Sequence, residues 1–277
     1  MAGNPELLIV TGGGRGIGAA TARLAARRGF AVAVNYAENE AAASAVVREI
    51  EQANGRAIAI QADVSNEKDV LRLFETAEKT LGRVTALVNN AGITGGFSRL
   101  EDLAARTIER VLAVNVTSAM LCAREAVRRM STRRGGTGGA IVNVSSRAAQ
   151  LGGPGEWIHY AASKGAIDTL TIGLAKEVAA EGIRVNAVAP GLIETDLHAA
   201  AGEPGRPQRL AAETPLGRAG KSEEVAEAIL WLLSPAAAYI TGAILPRKRG
   251  ALGSSRKFTL GQNTKPRRLL SERRGFR

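Results

Sequence analysis

Residues Leu7–Ala22 read LLIVTGGGRGIGAATA, and the order of residue types in this stretch decides how the rest of the chain is read. Four apolar residues, Leu7 to Val10, run unbroken into the glycines. Such a run suits a strand buried on both faces, as in a parallel sheet. Gly12 serves a tight turn, Gly16 lets backbone approach a pyrophosphate, and Gly18 lets a helix pack closely on the strand. The residues that follow, AATARLAARRG, open a helical pattern. Its first free N–H groups and its positive dipole end attract phosphate oxygens. Strand, glycine turn and helix in this order make a candidate dinucleotide site.

A chain of 277 residues supports one large α/β domain with a substantial core. It contains no apolar run approaching the roughly 20 residues of a membrane helix. The start, MAGNPELLIV, lacks the basic, apolar and cleavage segments of a secretory signal. Cys122 is the only cysteine, so no intrachain disulfide can form. Its setting, SAMLCAREAV, suits a buried thiol better than a nucleophile. These features lead us to expect a soluble protein of the reducing cytoplasm.

The net charge of +11 is unevenly spread. From Arg247 onward there are eleven Lys or Arg against one acid, Glu272, so this tail carries +10 and the remainder only +1. Residues 1–246 therefore read as one near-neutral domain, and 247–277 as a basic tail with little apolar periodicity, expected to be disordered. The abrupt change in composition has the look of an altered terminus. A basic tail also opens a second class of function, salt-dependent binding of nucleic acid or another anionic surface on a nucleotide-binding scaffold. No aromatic-interleaved recognition motif accompanies it, so no specific nucleic acid is expected.

Strand and helix signals alternate along the chain. FAVAVNY, residues 30–36, reads as a second strand, followed by a polar, Ala-rich helix stopped at Gly55. RAIAIQADVS gives a third strand reaching Asp63 and Val64, and Asn66 is placed to cap the helix after it. VTALVNNAG gives a fourth strand, and Leu100 to Met130 reads as one long helix. AIVNVSS, a helix from Tyr160 to Ala180, IRVNAVAPG and a helix capped by Ser222 complete the pattern. The alternation predicts a doubly wound parallel sheet with helices on both faces. Gly191 to Gly220, with Pro204, Pro207 and Pro215, reads instead as a long lid or binding loop.

Tyr160 and Lys164 stand four apart in YAASK, hence on one helix face. A tyrosine with a pKa of about 10 is a poor proton carrier near neutrality, and a neighbouring ammonium lowers that pKa. Ser146 ends a strand at its carboxyl edge, where open parallel sheets bind ligands. Gly12, Asp63, Asn89 and Pro190 end strands on the same rim.

In these ordered motifs the sequence resembles the short-chain dehydrogenase/reductase family in its single-domain form. The motifs are TGGGRGIG, DV at Asp63, NNAG at Asn89, Asn115, NVSS ending at Ser146, YAASK, and PGLIET at Pro190, and the likeness runs from about Glu6 to Leu245. The resemblance implies a Rossmann fold and an NAD(P)-dependent interconversion of carbonyl and alcohol. It also implies Tyr160 as general acid or base, Ser146 bonding the substrate oxygen, Lys164 on the nicotinamide ribose, and Asn115 anchoring a relay water. Cofactor contacts are expected from Thr11, Gly12, Gly14, Arg15, Gly16, Ile17, Gly18, Asn35 and Tyr36. Asp63 and Val64 would flank adenine; Asn89, Ala91 and Gly92 would line the cleft; Pro190, Gly191, Ile193 and Thr195 would hold the nicotinamide end. By the same resemblance a homo-oligomer, dimer or tetramer, is expected, although the family's terminal segment joins subunit contacts and is replaced here by the basic tail.

An NAD-preferring site places an acid at the end of the second strand. Here Asn35 and Tyr36 occupy that region and Arg15 offers a cation nearby, which favours NADP over NAD. Two scattered histidines, His159 and His198, do not make a metal site. Trp157 is expected at the substrate mouth or a subunit contact, and Ser145 as support for the strand end. The substrate stays open among a 3-oxoacyl thioester, a sugar or polyol, and a cyclic ketone.

Overall fold

A computed structural model describes residues 6–246. Seven strands form one parallel sheet: β1 (Leu7–Val10), β2 (Ala31–Tyr36), β3 (Arg56–Gln61), β4 (Val84–Asn89), β5 (Gly139–Val144), β6 (Ile183–Ala189) and β7 (Ile244–Pro246). Their spatial order is β3-β2-β1-β4-β5-β6-β7. The chain thus builds outward from β1 in one direction, then returns to start again at β4. Between those two strands the order reverses, which leaves a crevice at their carboxyl ends.

The helices are α1 (Gly16–Arg27), α2 (Glu40–Gln52), α3 (Glu67–Leu81), α4 (Ala105–Leu112), α5 (Ser118–Met130), α6 (Ala148–Leu151), α7 (Ile158–Val178), α8 (Asp196–Ala200), α9 (Arg206–Arg209) and α10 (Ser222–Leu233). They cover both faces of the sheet. On one face Val70, Leu73 and Phe74 of α3 join Ala126 and Met130 of α5 and Val178 of α7 against Leu7, Ile9 and Ile141. On the other, Ala22 and Ala25 of α1, Val46 of α2 and Ile229 of α10 pack against Leu8, Val10 and Val142. Burying a Val, Leu, Ile, Phe or Met side chain in this way contributes about 1.5–3 kcal/mol. The unbroken apolar run Leu7–Val10 is fully buried because each face serves one of these cores. This is the doubly wound α/β arrangement that the sequence predicts. The basic run from Arg247 lies outside the described residues.

Three local expectations differ from the structure. β3 ends at Gln61 rather than at Asp63, because β2 ends at its partner Tyr36 and offers no further backbone to pair with. The expected helix Leu100–Met130 is interrupted twice. Leu103 and Ala104 are extended, and residues Ala113–Thr117 form a π turn between α4 and α5. A π turn inserts a residue into the helical ladder and turns its side chain out of the regular stripe. Here the displaced region carries Asn115. The third difference is at α10, where Ser222 is the first helical residue and not the cap. The cap position is Lys221, whose backbone N–H donates to the Glu224 carboxylate at 2.7 Å, the N3 side chain reaching back to the cap. Asn66 caps α3 as expected, its side chain accepting from Lys68 and Asp69.

The long loop is closed at its base. Gly220 N–H donates to Leu192 and Glu194 N–H donates to Gly220, each at 2.9 Å. Between these ends lie α8, α9 and short turns, so the segment is a compact flap pinned at Ile193 and Gly220.

Candidate active site

The crevice at the carboxyl ends of β1 and β4 is a cleft of about 420 Å³. Gly12 opens it, at φ +61°, where a side chain would be strained and would also press on Ala91. Its backbone N–H donates to the Asn35 side-chain oxygen at 3.2 Å. Gly18 packs against this turn so closely that a Cβ would sit 2.3 Å from the Gly12 carbonyl oxygen. Asn90 completes the lock, its amide donating to the Thr11 and Gly12 carbonyls at 3.0 Å each. Two of the turn's N–H groups are thereby used, Gly12 by the Asn35 side chain and Gly13 by the Asn35 carbonyl at 2.8 Å, while Gly14, Arg15, Gly16 and Ile17 line the cleft where the turn enters α1.

Of the expected cofactor set, Gly12, Gly14, Arg15, Gly16, Ile17, Asn35, Tyr36, Asp63, Val64, Ala91, Gly92, Pro190, Gly191, Ile193 and Thr195 line this one cleft. Thr11, Gly18 and Asn89 do not. Thr11 is buried, its hydroxyl accepting from the Asn90 and Ala91 N–H groups. Asn89 was expected on the cleft wall and is turned away from it. Its amide donates to the Ala119 carbonyl and to Asn143, whose own amide reaches Thr171. Strand alternation explains the exchange: consecutive residues point to opposite sides, so Asn90 takes the place facing the cleft.

Asn35 has no free hydrogen-bonding edge, because its amide nitrogen donates to the Ile60 and Ala62 carbonyls. Arg15 is exposed at the N-terminus of α1 and makes no ion pair among the described residues. Burial raises the Asp63 carboxyl, yet hydrogen bonds from Ser65 and the nearby Arg110 guanidinium outweigh it and hold the group below its ordinary value.

At the far end of the cleft stand Ser146, Tyr160 and Lys164. The Lys164 Nζ lies 5.7 Å from the Tyr160 ring centre and donates to the Val144 carbonyl at 2.7 Å. Burial pushes the Tyr160 phenol above its ordinary value, with a hydrogen bond to Ser146 pulling against it. This is opposite to the lowering expected from a neighbouring ammonium. The cause is desolvation, which acts on both groups. It also brings Lys164 down to about 8, against the opposing charge of Asp168.

Asn115 does not line the cleft. From the π turn its side chain accepts from the Ile93 N–H and donates to the Ile93 carbonyl and to Ser163, whose hydroxyl reaches the Tyr160 carbonyl. Gly92 lies between it and Lys164: a Cβ there would lie 3.3 Å from the Asn115 Oδ1, a tight contact, and 3.5 Å from the Lys164 Nζ, an ordinary one.

The reading from sequence missed Asn90 and Arg110 in the cleft, and Arg206 behind it. Asn90 stood in the quoted NNAG and could have been found by strand alternation. Trp157 does line the mouth, stacked on Phe97 at 4.8 Å and tilted against Tyr160 at 5.5 Å. His159 points elsewhere, into packing beside Gly95. Burial pushes the Cys122 thiol up to about 12, in keeping with an inert core residue.

A nucleotide cradle and a buried Tyr–Lys pair at opposite ends of one cleft define an oxidoreductase architecture, and comparison with known proteins gives the lineage. A family model described as Enoyl-(Acyl carrier protein) reductase matches residues 12–251. The chain is 55% identical over 239 residues to the uncharacterized oxidoreductase YgfF of Escherichia coli K12, covering 86% of this chain and 97% of the relative. It is 41% identical over 247 residues to a 3-oxoacyl-[acyl-carrier-protein] reductase of Synechocystis, covering 86% and 93%. A crystal structure of a dehydrogenase/reductase from Sinorhizobium meliloti 1021 superposes with a TM-score of 0.80 at 35% identity, covering 87% of this chain and 92% of that one. The chain belongs to the short-chain dehydrogenase/reductase family. It is an oxidoreductase acting on CH–OH or carbonyl groups, and its family uses NAD(P) cofactors.

Proposed function

We propose that this protein interconverts a small carbonyl compound and its alcohol with NADP(H), Tyr160 carrying the proton. One observation carries the reading: Ser146 and the Tyr160 phenol sit in the same cleft as the glycine turn, with the Lys164 Nζ 5.7 Å from the Tyr160 ring centre. The cradle suits a dinucleotide, since Gly12, Gly14, Gly16 and Ile17 line the cleft where the strand turns into the N-terminus of α1, the end of a helix that attracts phosphate. Gly12, Gly14, Gly16 and Ile17 would hold the phosphates; Asp63 and Val64 would flank adenine; Lys164, Pro190, Gly191, Ile193 and Thr195 would hold the nicotinamide end. When bound, the cofactor supplies or accepts the hydride.

The chain's own residues handle the oxygen. As a carbonyl gains electrons, negative charge develops on its oxygen, and Ser146 and Tyr160 donate hydrogen bonds at that point. Burial keeps the phenol protonated near neutrality, the form needed to give its proton to the developing alkoxide. In the reverse direction the same phenol must lose its proton, and the Lys164 charge stabilises the anion left behind. Asn115, bonded through Ser163 to the Tyr160 carbonyl, would anchor the relay that returns the proton to solvent.

NADP is favoured because Arg15 and Tyr36 line the adenosine end while β2 ends without an acid. Asn35 supports the turn and does not contribute to 2′-phosphate recognition. No helix among the described residues is long and apolar enough to cross a membrane. Exposed Leu112, Met120 and Ile172 on α4, α5 and α7 support self-association, which a solution mass measurement tests.

The test of the reading is a panel of ketones and alcohols followed by NADPH absorbance, run on the native protein and Tyr160→Phe. Turnover should fall by at least about 10³-fold in the variant while NADPH binding persists. Retained turnover overturns the assignment of the proton to Tyr160.

A further inference from the structure

Lys164 is not alone beneath Tyr160. One helical turn further along α7 lies Asp168, half-buried, and beside both sits the Ser145 hydroxyl at the end of β5. That hydroxyl is 3.2 Å from the Lys164 carbonyl and 2.5 Å from the Asp168 Oδ1. A hydroxyl has one proton, and the shorter, charge-assisted contact takes it. Ser145 is fixed in turn, fully buried with its backbone N–H donating to Val188 on β6. The carboxylate is therefore held by the sheet itself, next to the residue that carries Ser146.

We propose that Asp168 is a positioning residue that acts through Lys164, its fixed carboxylate keeping the buried amine charged and seated behind Tyr160. The inference rests on the role given above to Lys164.

The charge balance around the amine explains the need. Lys164 stands one helical turn from Tyr160 on one side and from Asp168 on the other along α7, with the Val144 carbonyl reaching it from β5 and Asn115 across Gly92 from the π turn. Of these only Asp168 can carry a full negative charge while the phenol is protonated. Asp168 for its part faces Ser145 from the end of β5 and Lys164 on α7. Burial raises the Asp168 carboxyl, while the Ser145 hydrogen bond and the Lys164 charge pull it back. Burial likewise brings Lys164 down to about 8, with Asp168 opposing that fall. Removing the carboxylate leaves desolvation of the amine unopposed, so Lys164 loses its proton at lower pH.

The test uses the full chain without cofactor, labelled with ¹³C at lysine Cε and titrated by NMR. The Lys164 signal is identified by its loss in Lys164→Arg. The native midpoint is expected near 8. Asp168→Asn should lower it by about one pH unit, and Asp168→Glu should return it to within about 0.3 unit of the native value. A midpoint in Asp168→Asn equal to or above the native one overturns the proposal. Ser145→Ala, which frees the carboxylate, should move the midpoint the same way by a smaller step. If Asp168→Asn does not fold, an unmoved midpoint in Ser145→Ala overturns it instead. Turnover gives a second readout: Asp168→Asn should stay within about threefold of the native rate at pH 6.5 and fall about fivefold or more at pH 8. A uniform loss at every pH marks a purely structural role and also overturns the proposal. Failure of the Tyr160 reading is distinguishable, because it leaves Tyr160→Phe active without touching the Lys164 titration.

Discussion

The Arg206 guanidinium sits over the Trp157 ring, 4.8 Å from its centre, and holds Glu156 through both of its terminal nitrogens at 3.0 and 2.6 Å. It also lies 5.2 Å from the centre of Phe97, so one buried cation ties α9 of the flap to the aromatic wall at the cleft mouth. Ala201 of the flap adds an apolar contact, buried in one cluster with Trp157 and Tyr160. Arg206→Ala removes the cation and leaves Glu156 unpaired; a hydrogen-bonded pair to a charged group is worth about 1.5–3 kcal/mol, and the part-exposed Glu156 places this one at the lower end. The expected outcome is a fall of about 3–6 °C in Tm with faster proteolytic cleavage between residues 196 and 220. Unchanged cleavage would show that the flap is held by something other than this contact.

Arg15 is the one cation that the adenosine end of the cleft draws from α1, and its side chain is exposed, so water screens what it does. We expect Arg15→Ala to weaken NADPH binding about tenfold while changing NADH binding less than about twofold, as read by fluorescence titration of each. Glu38 also borders this end and carries the opposite sign. Glu38→Gln should therefore strengthen NADH and NADPH binding by unequal amounts, NADPH gaining more, because its 2′-phosphate adds negative charge there. Equal losses for both cofactors in Arg15→Ala would remove the case for 2′-phosphate recognition.

The fold was legible because its signals are local. Leu7–Val10 is buried on both faces and must be uniformly apolar, and the glycines must follow it directly; both facts show in the residue types. The break in the Leu100–Met130 helix was not legible, since Ala113–Thr117 contains neither glycine nor proline and its apolar stripe runs on without a gap. What forces the π turn is distant: the Ile93 backbone, whose N–H and carbonyl the Asn115 amide satisfies. Arg206 was hidden for the same reason. In sequence it is one arginine among several in a loop, and only the fold brings Glu156 and Trp157, some 50 positions earlier, against it. Asn89 and Asn90 show the limit from the other side, adjacent and identical in type, separated only by which face of the strand each meets.

Two glycines predict opposite outcomes for the same substitution. In Gly18→Ala the added methyl meets the Gly12 carbonyl oxygen at 2.3 Å and the Asn90 amide at 2.6 Å, neither of which can move without opening the turn. Overpacking of this kind costs about 1–3 kcal/mol, and the variant should lose most of the thermal stabilisation that added NADPH gives the native protein. Gly173 lies on α7 with nothing within 4 Å of an added Cβ. There Ala should stabilise by about 0.5–1 kcal/mol, the usual difference between the two residues inside a helix. A calorimetric scan of both variants with and without NADPH checks the pair, and a Gly18→Ala protein as responsive to NADPH as the native one would refute the close-packing role.

His159 gives the fold a dependence on pH that is separate from catalysis. It is buried beside Gly95, and neither ring nitrogen makes a hydrogen bond, although the Thr94 backbone lies near enough to favour the charged ring slightly. Burial outweighs that and lowers its pKa from the ordinary 6.5. Below 6.5 the unfolded chain takes up a proton at this position and the folded protein does not, so falling pH favours unfolding until the lowered pKa is passed. The stabilising contribution is complete above 6.5 and is lost on the acid side. In His159→Leu nothing titrates at this site, and an apolar side chain of similar size satisfies a pocket that offers no hydrogen bond. The urea midpoint of the native protein should therefore drop between pH 7 and pH 5.5 by more than that of the variant; parallel curves would mean that His159 takes up its proton as readily folded as unfolded.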